Sequence, residues 1–109
     1  MSNGELAEFD EANFEASVLE RPGLTVVDFW SSTCAPCRQL TKVLSQLQPD
    51  LPVNVIIGKV NADDNADLVD RFGVRTLPTL LFVKDGKVVA SRTGVDRRQV
   101  LKKLIEEHA

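Results

Sequence analysis

An α/β fold, with a central mixed β-sheet flanked by helices on both faces, follows from three observations on this 109-residue chain. Near-continuous apolar segments of strand length alternate with segments whose apolar residues recur at helical spacing. Asp85-Gly86 stands between two strand-like runs as a two-residue hairpin, so the last strand pair is antiparallel while the earlier strands are parallel. Cys34 and Cys37, the only cysteines, stand in Cys-Ala-Pro-Cys, where a strand pattern gives way to a helical one.

Each element has its own signal. A short edge strand is expected near Leu6–Phe9. Phe14, Val18 and Leu19 share a helical face that Pro22-Gly23 breaks, which predicts a first helix from about Asp10 to Glu20. Thr25 to Trp30 is a strand buried on both faces, with Asp28 as its anomaly. Leu40, Val43, Leu44 and Leu47 then form a helical stripe with Pro36 in the first turn, where its missing N–H costs little. Pro49 and Pro52 end that helix.

Val53 to Val60 reads as a second buried strand, and its Asn61-Ala62-Asp63-Asp64 exit supplies side chains able to cap a helix. Leu68, Val69 and Phe72 mark a short helix that Gly73 closes in a left-handed conformation. Thr79 to Val83 is the next strand, and the hairpin returns it into Lys87–Arg92. Val100, Leu101, Leu104 and Ile105 make the inner face of a C-terminal helix. With 43% hydrophobic residues, residues 1–109 are expected to form one domain whose core needs no metal or disulfide staple.

The cysteines are therefore available for chemistry. Two intervening residues let both sulfurs meet within one turn, and a following helix aims unpaired N–H groups and its positive dipole end at the first sulfur. A thiol so placed falls from about 8.5 into the range of roughly 3.5–7.5. Two inert thiols are the plainer alternative, and a metal centre needs about four ligands, whereas the chain adds only His108 to this one pair. No metal and no cofactor are expected.

Net charge is −3 and the basic residues are scattered, so nucleic acid is not an expected partner. Met1–Glu5 lacks a basic segment leading into an apolar one, and no stretch has the length of a membrane span, so the cytoplasm is the expected compartment. There a C-x-x-C pair at a strand-to-helix junction reads as catalytic.

Val27-Asp28-Phe29-Trp30 followed by Cys-x-Pro-Cys, the Lys59-Val60-Asn61-Ala62-Asp63 segment and Gly73-Val74-Arg75-Thr76-Leu77-Pro78-Thr79-Leu80 together resemble the thioredoxin family over essentially the whole chain. Thioredoxin itself is among the known instances of the depressed thiol just described. The resemblance implies the thioredoxin fold and a thiol–disulfide oxidoreductase that reduces protein disulfides. It makes Cys34 the nucleophile that forms a mixed disulfide and Cys37 the thiol that resolves it. The implied partners are disulfide-containing proteins and a thioredoxin reductase, and the expected state is a monomer.

Asp28, matching a family aspartate, is expected to have its pKa raised by burial and to take the Cys37 proton; a solvated strand-edge aspartate is the alternative. Lys59 matches a family lysine that tunes this carboxyl, and it reads equally as an exposed strand lysine. Pro78 matches the family's cis-proline, which would bring the Thr76–Leu77 backbone beside the cysteines to pair with an extended substrate segment. Gly94 matches a glycine that admits substrate closely, or is an ordinary strand-end glycine. Trp30 is expected to pack near the redox pair and to report its oxidation state by fluorescence.

The chain departs from the usual Trp-Cys-Gly-Pro-Cys at two positions, reading Thr33-Cys34-Ala35-Pro36-Cys37. Thr33 removes a large apolar surface beside the nucleophile, and its hydroxyl is a candidate donor to a thiolate. Ala35 restricts the backbone between the thiols. Lys42 replaces a frequent helix-kinking proline, which predicts a more regular helix. These departures keep two further readings open: a specialised reductase with few targets and another electron donor, and a redox-silent binding module of the same fold.

Overall fold

The structure, a computed structural model, describes residues 6–109. The Met1–Glu5 segment, read above as lacking a leader, lies outside the described residues.

Strand β2 (Leu24–Trp30) is apolar on both faces because it is the middle strand of five. The sheet runs β1 (Ala7–Phe9), β3 (Ile56–Asn61), β2, β4 (Thr79–Lys84), β5 (Lys87–Thr93). β1 and β2 flank β3 in parallel, whereas β4 is antiparallel to both β2 and β5. Side chains along β2 alternate between two cores. Leu24 and Val26 join Leu40, Leu44 and Leu47 of helix α1 (Ala35–Leu47) and Leu101 and Ile105 of helix α3 (Arg98–His108). Val27 and Phe29 join Phe14, Val18 and Leu68, the last from helix α2 (Ala66–Arg71), on the opposite face. Asp28 lies on the α1 side, in register with Leu80 and Lys59.

The first helix is shorter than the Asp10–Glu20 expected: it is a single wide π-turn over Glu15–Leu19, preceded by turns. Asp10 and Asn13 explain the late start. Each side chain accepts the other's backbone N–H, at 2.8 and 2.9 Å, which offers the chain a local alternative to helix. The second buried strand likewise begins at Ile56 and not at Val53. Pro52 O accepts the N–H of Val55, so 52–55 is a turn and Val53 is almost fully exposed. Val100 is 42% exposed and lies off the α3 stripe, which Leu101, Leu104 and Ile105 form instead.

Helix α2 is held at its N-terminus by a group other than those the sequence advertises, and at its C-terminus by the glycine expected there. Asn65 precedes it without capping it, and the N–H of Asp67 is taken at 2.8 Å by Glu11, from the turn after β1. Asn65 Oδ1 accepts the N–H of Glu11 at 3.0 Å in return. At the C-terminus Gly73 (φ +64°) and Val74 donate to Asp70 and Val69, the paired bonds of a Schellman ending, as expected of that glycine. Asp85 and Gly86 both take positive φ, +49° and +83°, as the two-residue hairpin requires.

Candidate active site

Parallel β3 and antiparallel β4 place the end of β2, the end of β3 and the start of β4 at one edge of the sheet, and the site is assembled there. Chain leaving Trp30 turns through Ser31–Thr33, with Cys34 N donating to Ser31 O, and enters α1. Cys34 is the N-cap residue of α1, with extended backbone (φ −100°, ψ 104°). Pro36 has no N–H to offer, so the first inner donor free to meet the cap is Cys37 N, which reaches Cys34 Sγ at 3.2 Å. The two cysteines form a disulfide with a Cα–Cα separation of 5.3 Å. Cys34 is half-buried, whereas Cys37 is 1% exposed; Ala35 and Pro36 between them face solvent.

Asp28 is completely buried. Thr41, one turn after Cys37 on the same side of α1, donates its hydroxyl to Asp28 Oδ2 at 3.2 Å. Asp28 Oδ1 is the buried side-chain oxygen that has no hydrogen-bond partner among the described residues. Loss of hydration pushes the carboxyl up to about 7, against the smaller downward pull of the Thr41 hydrogen bond and the Lys59 charge. Lys59, Asp28's register partner on β3, makes no ion pair with it; its ammonium lies 5.2 Å from the centre of the Trp30 ring. Trp30, Arg38, Thr41 and Lys59 line an open cavity of about 190 Å³, and Thr41 links its wall to this carboxyl. Arg38 is held by a bond to Ser32 O at 3.2 Å.

The residues after α2 come to the same edge. Leu77–Pro78 is a cis peptide, Pro78 directly precedes β4, and Thr79 is in register with both Phe29 and Thr93. Thr79 Oγ1 donates to Thr76 O, and Gly94, with φ +81°, donates to Pro78 O at 3.0 Å. These bonds make Thr76, Leu77, Pro78 and Gly94 neighbours, with Thr76 exposed, Leu77 and Gly94 half-buried and Pro78 buried behind them. Thr33 is exposed, and its hydroxyl lies 3.4 Å from Ser31 Oγ, so in the disulfide form it is turned to a neighbouring serine and not to sulfur. The helix carrying Lys42 runs unbroken from Ala35 to Leu47.

Thr41 is the residue sequence reasoning missed. Its signal was present: a polar side chain four residues after Cys37, on a helix stripe otherwise made of buried leucines.

The chain matches the family model described as Thioredoxin over residues 5–107. A thioredoxin of Chlorobaculum thiosulfatiphilum is 37% identical over 105 residues, covering 96% of this chain and 97% of the relative. A thioredoxin of Chlamydia pneumoniae is 40% identical over 97 residues, covering 89% and 92%. Among solved structures, a point mutant of a thioredoxin from Halobacterium salinarum NRC-1 superposes with a TM-score of 0.87 at 28% identity, covering 99% of this chain and 94% of that one.

Proposed function

This chain belongs to the thioredoxin family and is a thiol–disulfide oxidoreductase, and from that premise we propose how its residues divide the work. Cys34 is the attacking thiol and Cys37 the resolving one. The observation that carries this reading is the asymmetry of the pair: Cys34 is reachable and its sulfur meets a helix N–H, while Cys37 is sealed.

Cys34 thiolate attacks one sulfur of a substrate disulfide, a Cys34–substrate bond forms, and the other substrate sulfur leaves as thiolate. Cys37 then gives its proton to the Asp28 carboxylate and attacks Cys34 Sγ. The mixed disulfide breaks, the second substrate thiolate leaves, and two electrons have passed from the dithiol to the substrate. A carboxyl that titrates near 7 suits the acceptor role at neutral pH, since it is part carboxylate and still basic enough to hold the proton. Lys59 adjusts that carboxyl by its charge, and its ammonium sits over the Trp30 ring.

Thr76, Leu77 and Gly94, backed by the buried Pro78, together with Trp30, Thr33, Ala35 and Pro36 near Cys34, make the surface on which an extended substrate segment is received. Disulfide-containing proteins are the substrates and a thioredoxin reductase the electron donor, with the chain acting as a monomeric single domain in the cytoplasm. No helix among the described residues is long and apolar enough to cross a membrane.

Insulin-disulfide reduction tests this, driven first by dithiothreitol and then by NADPH with thioredoxin reductase as sole donor. Wild type is expected to work in both regimes and Cys34→Ser in neither. Activity with dithiothreitol alone would instead assign a specialised reductase with another donor, a reading favoured by the small, exposed Thr33 beside the nucleophile. No activity in either regime contradicts the proposal.

A further inference from the structure

Asp28 carries two unequal oxygens. Oδ2 accepts the Thr41 hydroxyl at 3.2 Å, and Oδ1, equally buried, accepts nothing. A carboxyl with neither oxygen held would be free to rotate about its terminal torsion, which is soft and roughly two-fold. Held at one oxygen, it presents the other in a fixed direction.

We propose that Thr41 is a positioning residue of the exchange reaction: its hydroxyl anchors Asp28 Oδ2 so that Oδ1 is the oxygen that receives the Cys37 proton. The inference rests on the reading of Asp28 as proton acceptor. The local geometry supports it. Cys37 and Thr41 stand four residues apart on α1, so the hydroxyl that grips Asp28 and the thiol that must reach it project from one stripe of the same helix.

The hydroxyl also has an electrostatic effect. A bond donated to the carboxylate favours the charged form and opposes the upward push of burial. The other charged group acting on this carboxyl is Lys59 from β3, which also lowers it; Arg38 of α1 lines the neighbouring cavity with Thr41 and Lys59 but is exposed and bonded to Ser32 O. β4 contributes apolar Leu80 in register, and α3 turns Leu101, Leu104 and Ile105 towards this face of the sheet. Removing the hydroxyl therefore leaves Oδ2 without its donor, and Asp28 is expected to hold its proton more tightly.

The test is stopped-flow reaction of the reduced protein with 5,5′-dithiobis(2-nitrobenzoate). The first thionitrobenzoate released reports attack by Cys34, and the second reports resolution by Cys37. For Thr41→Val the midpoint of the pH profile of the second phase is expected to rise by about one unit, the scale of one hydrogen bond to a charged group. At pH 7 that lowers the carboxylate fraction, and hence the second phase, about fivefold, with the rates converging at alkaline pH. The first phase is unchanged, Thr41→Ser restores the wild-type profile, and carboxyl-carbon NMR shows the same displacement of the Asp28 titration.

Thr41→Ala carries the same expectation, so failure of one variant to fold leaves the other. A second phase with the wild-type midpoint in both hydroxyl-deleted variants overturns the positioning role. Asp28→Asn separates the two layers: if it slows the second phase and Thr41→Val does not, only the Thr41 inference fails; if Asp28→Asn leaves the second phase unchanged, the proton-acceptor reading fails with it.

Discussion

The two ends of the sheet treat their polar groups in opposite ways. At the hairpin end, Asp85 Oδ1 accepts Gly23 N at 2.9 Å, Asp85 N donates to Gly23 O, and Arg21 gives its guanidinium to Leu24 O, Thr25 Oγ1 and Asn54 O. At the cysteine end, the completely buried Asp28 keeps an oxygen without a partner. A paired polar group stabilises the fold and is chemically quiet, while an unpaired buried one costs stability and holds a proton affinity far from its ordinary value. In this molecule the hairpin end pairs these polar groups, and the cysteine end leaves one buried carboxyl oxygen open for chemistry.

The largest effect expected on that contrast is at Asp28. With its carboxyl raised from 3.8 to about 7 in the fold, the native state binds the extra proton between those values. The unfolded state binds fewer protons there, so stability falls as pH rises from about 4 to about 7, by on the order of 4 kcal/mol in all, and stays low above. Asp28→Asn should flatten this dependence in urea unfolding and leave the variant more stable than wild type at pH 8. At the same time it should slow Cys37 resolution at neutral pH by about a hundredfold. A variant less stable than wild type at pH 8 would break the comparison.

Changes at the hairpin end should do the reverse. Gly86 has φ +83°, and a Cβ there would lie 2.7 Å from Leu19 O, so Gly86→Ala is expected to destabilise by about 2 kcal/mol in urea unfolding with exchange rates unaltered. Asp85→Ala removes the acceptor of Gly23 N and should cost about 1 kcal/mol, again without kinetic effect. The smallest signal sharpens the picture from the other side: Trp30, whose ring lies under Lys59, should change its emission when Cys34–Cys37 is reduced. An identical spectrum before and after reduction would detach Trp30 from the redox site.

Much of this was legible in the sequence because it is local. The strand-to-helix junction, the Asp85-Gly86 hairpin, the Gly73 ending and the buried Asp28 each declare themselves within a few residues, and all are where the pattern places them. The misplaced boundaries share one cause. Asp10–Asn13 and Pro52–Val55 satisfy their backbone through turns that compete with a helical or strand-like apolar pattern, and periodicity does not see such bonds. Contacts between distant segments were hidden for a different reason. Glu11 capping α2 from the turn after β1, and Thr41 reaching across to β2, depend on which elements the fold makes neighbours.

The unequal burial of the two cysteines is the basis for the division of labour, and trapping tests it most directly. Cys37→Ser and Cys34→Ser proteins are each incubated with a protein disulfide substrate, and the adducts are counted by mass spectrometry under non-reducing conditions. Cys37→Ser is expected to accumulate a stable mixed disulfide at Cys34, and Cys34→Ser to form almost none, because its remaining thiol is 1% exposed. Adducts forming as fast on Cys37 in the Cys34→Ser protein would contradict the assignment of attacker and resolver.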